Sequence, residues 1–118
     1  MTRREFEKVV EEAIASLPEV FRKKMENIDF RVVESPNRRQ AGKHSDGLYG
    51  LYEGVPLGER SVNDALRLPD RITIFKRAIE NDCKTRAEII KCIQETVLHE
   101  VGHYFGFDDD QLDHFGIG

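Results

Sequence analysis

The sequence predicts an α+β protein on three observations. Apolar residues recur at helical spacing in the opening segment. Short runs of β-branched and aromatic residues occupy the middle, and the last third returns to helical spacing. A chain of 118 residues is long enough to close one hydrophobic core. With no internal repeat, low-complexity tract or boundary signal, residues 1–118 read as one domain.

Phe6, Val9, Val10, Ala13, Ile14 and Leu17 follow the i, i+3, i+4, i+7 rule, so the opening segment predicts a helix that buries one face and stops at Pro18. A second short helix is expected from Glu19 to Asn27, with Val20, Phe21 and Met25 turned inward. Residues 28–34 (IDFRVVE) read as a strand. Residues 35–47 collect Pro, Gly, Asn, Asp and Ser without periodicity and read as a loop, locally basic through Arg38, Arg39 and Lys43. A strand is expected over Leu48–Glu53, with Gly50 marking a bulge or a close backbone approach. The polar stretch PLGERSVNDALRLPD then leads to RITIFK, the strongest strand signal in the chain. Connections as long as 35–47 and 55–70 are unusual in a small domain, and such loops are commonly functional or mobile.

In the last third, Thr85 followed by Glu88 predicts a helix start. Ile89, Ile90, Ile93, Val97, Leu98, Val101, Tyr104 and Phe105 form its apolar arc. Gly106 stands where a helix ends on a residue with positive φ. The tail after it is expected to add one short helical turn.

Charged residues make up 34% of the chain and hydrophobic ones 39%, a highly solvated composition. The net charge of −4 lacks the basic surplus that neutralises phosphates, so no nucleic-acid partner is expected. No apolar run is long enough to span a bilayer and no signal segment opens the sequence, so a cytoplasmic location without a membrane partner is expected. Cys83 and Cys92 are too widely spaced for a C-x-x-C knuckle, and in a reducing compartment they are expected as free thiols.

The chemistry concentrates in the last helix, which carries His-Glu-x-x-His at His99, Glu100 and His103. Two histidines four apart stand about 6 Å apart along a helix and about 40° apart around it, so both imidazoles can reach one ion. They lie outside the apolar arc. Zinc accepts neutral imidazole and keeps an open position in catalytic sites. In this arrangement Glu100 is the expected general base, taking a proton from a zinc-bound water and passing it to the leaving group. Where a glycine follows the second histidine by three residues, it turns the chain so that the residue ten beyond the first histidine returns to the metal. Here that residue is Asp109, with Asp108, Asp113 and His114 as alternatives for the third ligand. Tyr49, Tyr52, Arg71 and His114 are candidates for stabilising an oxyanion. His44 reads as a solvent-exposed loop residue, and Cys92 as a small buried hydrophobe.

LYGLYEGVPL, PDRITIFKR and TVLHEVGHYFGFDDDQL resemble the bacterial minimal zincin-like proteins, a family read as zinc metallopeptidases. The resemblance covers the second half to two-thirds of the chain. It implies a minimal zincin-like α+β fold, with a small mixed β-sheet packed against an N-terminal helix and the active-site helix. It also implies Zn²⁺ held by His99, His103 and Asp109, and a peptide or protein substrate. Larger metzincins differ in having histidine at the position of Asp109 and a methionine turn after the motif; here the methionines are Met1 and Met25. Few residues follow Asp109, so a C-terminal wall to a deep cleft is not expected. An edge strand could hold an extended peptide, with RITIFK as the candidate. The same ligand spacing is similar to that of small zinc-dependent endoribonucleases of rRNA maturation. Those carry three histidines and lack a glutamate after the first. A non-catalytic zinc-binding interaction module is a third possibility.

Overall fold

The computed structural model describes residues 1–25, 27–42, 48–54 and 70–114, with the backbone alone for Asp113 and His114. Helix α1 (Arg3–Ala15) starts at Thr2, whose hydroxyl accepts the Glu5 N–H. Its periodic residues Phe6, Val9, Val10 and Ala13 are buried, as the spacing predicts. Helix α2 (Glu19–Arg22) is one turn long and ends well before Asn27. That brevity corrects one inward assignment. Val20 is 56% exposed, whereas Phe21 packs its ring on Phe105 at 5.4 Å.

Strand β1 (Ile28–Val33) follows. The segment read as loop contains a one-turn helix, α3 (Arg38–Ala41), closed by a reciprocal capping box between Asn37 and Gln40. Arg39 and Gln40 both bond to the carboxylate of Glu53, so part of the basic cluster ties α3 to the next strand. Lys43 and His44, and the connection over 55–69, lie outside the described residues. Strands β2 (Gly50–Glu53) and β3 (Asp70–Phe75) complete a three-stranded sheet of order β1-β3-β2. Helix α4 (Lys76–Asp82), which the periodicity did not single out, follows directly. Helix α5 (Arg86–Tyr104) begins at Thr85, whose hydroxyl accepts the Glu88 N–H, and the short α6 (Asp109–His114) ends the described chain.

The sheet is mixed: β1 runs parallel to β3, from Ile28↔Asp70 to Val33↔Phe75, and β2 runs antiparallel to it. The expectation that RITIFK lies at an edge is therefore wrong. Strand β3 is central, and its run of Ile72, Thr73, Ile74 and Phe75 is buried throughout because both faces and both edges are covered. The antiparallel outer edge belongs to β2. Phe75 N–H donates to Tyr49 C=O at 2.8 Å, so Tyr49, Leu51 and Glu53 bond toward β3. By alternation, Gly50 and Tyr52 turn their backbone groups outward.

Helices α1 and α5 pack together against the sheet. Phe6, Val10, Ile72, Ile74, Ile79, Ile93, Val97 and Val101 meet there in one core with Val32. Cys92 is half-buried beside it, and burial pushes its thiol up to about 11, which suits an inert side chain. Among the described residues no helix is long and apolar enough to cross a membrane.

Two predictions follow from this packing. Phe6→Ala empties a fully buried site and should cost about 3–5 kcal/mol in denaturant unfolding, while Val20→Ala should stay within about 0.5 kcal/mol. The Tyr49 hydroxyl donates to Asp82, joining the lead-in of β2 to α4. That hydrogen bond, helped by burial, pushes the phenol up to about 12. Since the folded value is raised, the contribution to stability is full below the ordinary value of 10.0 and lost as pH rises through about 12. A tyrosine NMR titration should show this late transition, and Asp82→Ala should bring it back toward the ordinary value.

Candidate metal centre

On α5, His99 and His103 stand on consecutive turns with ring centroids 4.6 Å apart. Both side chains are about a quarter exposed, 26% and 24%, so the pair opens on the surface rather than on the core. Glu100 is rotated a further 100° around the helix from His99 and is buried at 5% exposure. Its place is set by β2. The outward N–H of Tyr52 donates to Glu100 Oε1 at 2.8 Å. A Cβ on Gly50 would stand 2.7 Å from Thr96 Cγ2 and 3.2 Å from Glu100 Cγ. Gly50 is thus the close approach its sequence position announced, and the neighbour it admits is the helix carrying the motif.

The other side of the site is built by the chain reversal after α5. Gly106 adopts φ 94°, its N–H donates to His103 C=O, and Phe107 N–H donates to Gly102 C=O. These two bonds form the Schellman pattern that ends a helix on glycine. Asp108 then caps α6: its carboxylate accepts the Gln111 N–H at 2.8 Å, and Gln111 Oε1 accepts the Asp108 N–H at 2.8 Å. The cap occupies Asp108 and leaves Asp109 facing back toward α5. Asp109 Oδ1 lies 2.9 Å from His103 Nε2 and 3.2 Å from His99 Nε2. The structure thus brings together His99, Glu100, His103 and Asp109. The side chains of Asp113 and His114 lie outside the described residues.

Hydrogen bonds join the group. The Nδ1–H of His103 donates to Glu100 Oε1 at 3.3 Å, which presents Nε2 to the space shared with His99. The hydrogen bond to Glu100 raises the His103 imidazole above its ordinary value, with Asp109 adding to it and burial opposing it. Asp109 is held below the ordinary carboxylate range chiefly by its hydrogen bond to His103.

Residues 25–117 match the zincin-like metallopeptidase family. The chain belongs to this family. Comparison with curated proteins gives no match. The family implies a metal, typically zinc, and the donor set here fits one. Ligand atoms of His99, Glu100 and His103 lie within 4.8 Å of one another. The separations of 2.9 and 3.2 Å between Asp109 Oδ1 and the two Nε2 atoms approach the ~3.3 Å expected between donors about 2.0 Å from one tetrahedral zinc.

Of the four oxyanion candidates, the His114 side chain lies outside the described residues, and the side-chain polar groups of Tyr49, Tyr52 and Arg71 are engaged elsewhere. Tyr49 donates to Asp82, Tyr52 Oη donates to Asp70 at 2.7 Å, and Arg71 pairs with Asp29. Sequence reasoning missed the Asp108 cap, although Asp-x-x-Gln after a glycine stop is a readable helix start. It also passed over Gly102, a glycine inside a helix, which is itself a sign of close packing. The Tyr52 N–H had no sequence signal at all, because every residue but proline carries one.

Gly50→Ala should lower stability by about 1–3 kcal/mol, since the added methyl meets two buried side chains, Thr96 and Glu100, and stands 3.3 Å from the Thr73 C=O. The amide signal of Tyr52 should shift with it, reporting displacement of the Glu100 carboxylate; an unmoved Tyr52 amide would show that the β2–α5 approach is looser than described.

Proposed function

We propose that this protein is a zinc-dependent peptidase in which His99, His103 and Asp109 hold the ion and Glu100 is the general base. The observation that carries the reading is the placement of one Asp109 oxygen between both imidazole Nε2 atoms, beside a glutamate anchored by β2. Bound there, zinc would supply Lewis acidity toward a carbonyl and bring a water within reach of deprotonation near neutral pH. The chain's own residues do the remaining work. Glu100 accepts the proton at its carboxylate and returns it to the leaving amine. The Tyr52 N–H and the stem contact with Gly50 restrict the carboxylate to one orientation, which shortens the search for proton-transfer geometry. The His103 Nδ1–H bond to Glu100 keeps Nε2 directed at the ion.

A peptide substrate is supported by the outer edge of β2. Gly50 turns its backbone groups outward beside Glu100, and among the described residues no strand pairs with that edge. An extended peptide added there would run past the histidines, with β2 in the role first given to RITIFK.

Glu100→Gln keeps an acceptor for Tyr52 N–H and removes the base. It should bind as much zinc as the wild type, while cleavage of a peptide library falls by about 10²–10⁴-fold. Wild-type protein that takes up no zinc would sink the reading. Zinc without turnover would point to a binding module, and cleavage of structured RNA independent of Glu100 to a nuclease.

A further inference from the structure

Asp109 poses a problem of placement. Its side chain is 67% exposed, so packing around the carboxylate does not hold it over the histidines. It rides on α6, a helix of six residues, too short to be stable by itself. What seats α6 is visible three residues further on. Leu112 is fully buried, and at i, i+3 it shares the face of α6 that carries Asp109. Leu112 lies on Gly102, inside the His-Glu-x-x-His segment itself. A Cβ at Gly102 would stand 2.5 Å from Leu112 Cδ2, 3.4 Å from Cδ1 and 3.5 Å from Cγ. A side chain at 102 would force the buried Leu112 side chain to shift, so α6 holds its present depth against a bare residue 102. Among the described residues, an apolar groove lined by Phe21, Leu98, Val101, Gly102, Phe105 and Phe107 runs beside the contact.

We infer that Gly102 and Leu112 are positioning residues for the metal centre: the Leu112 side chain resting on the bare backbone at Gly102 sets the depth of α6 and thereby delivers Asp109 to the two imidazoles. The inference rests on Asp109 being the third ligand. It explains a glycine in the middle of a helix, where alanine would favour the helical backbone. The cost of glycine is offset by the seat it makes for the next helix.

The test is zinc affinity, measured by competition with a chromophoric chelator, in wild type, Gly102→Ala, Leu112→Ala, Asp109→Ala and the double variant Gly102→Ala/Asp109→Ala. Gly102→Ala should weaken zinc binding about tenfold or more, the range seen when a ligand loses its supporting contacts. Leu112→Ala should weaken it in the same direction, and it covers the case in which Gly102→Ala fails to fold. The decisive comparison is the double variant, which should bind zinc no more weakly than Asp109→Ala alone, because the glycine acts through the aspartate. Helix content by circular dichroism should be unchanged in each. If Asp109→Ala keeps full affinity, the ligand reading itself fails. If Asp109→Ala loses affinity while Gly102→Ala and Leu112→Ala do not, or if the Gly102→Ala loss persists undiminished without Asp109, the positioning inference is overturned and the ligand reading stands.

Discussion

Helix α5 and strand β2 approach so closely that position 50 has no room for a side chain. A Cβ there would meet Thr96 at 2.7 Å, and the rest of the site depends on that distance. With the strand this near, the Tyr52 N–H reaches Glu100 Oε1, and the same oxygen accepts from His103 Nδ1. One carboxylate therefore links the sheet, the helix and an imidazole. Move the strand outward and Glu100 loses its partner, and His103 then loses the bond that orients its ring.

The same device operates on the opposite flank. At Gly102 the missing side chain admits Leu112, as at Gly50 it admits Thr96 and Glu100. The helix bearing the His-Glu-x-x-His motif has neighbours on both sides, and ordinary side chains would space them further apart. The two glycines set those depths from opposite directions, one on the strand and one on the helix. Between them the two histidines and Asp109 are displayed at the surface, while Glu100 is withdrawn into the interior.

Burial and hydrogen bonding also separate the motif side chains from the groups that hold the fold. Tyr49 and Tyr52 face carboxylates of their own, Asp82 and Asp70, and join β2 to α4 and β3. Their hydroxyls looked available in the sequence because a tyrosine has no visible partner until the chain folds. Cys92 shares the histidine face of α5, yet its half-buried thiol is shifted away from the reactive thiolate.

Much of this was legible from residues alone. The helical spacing of Phe6, Val9, Val10 and Ala13, the Thr85 cap, the Gly106 stop and the His-Glu-x-x-His pattern are local signals, decided by neighbours within about four residues. Asp109 was reachable for the same reason, as a fixed number of residues past a glycine turn. The tertiary structure alone decided which strand is central. An apolar run such as Ile72–Phe75 suits an edge or a centre until both neighbours are known, and here β1 and β2 enclose it. It also decided that Val20 faces water, because one turn of α2 is too short for periodicity to orient. Most of all, it supplied the partners of Gly50 and Gly102. A glycine in a sequence announces that something comes close; what comes close is far away along the chain, and only packing brings it there.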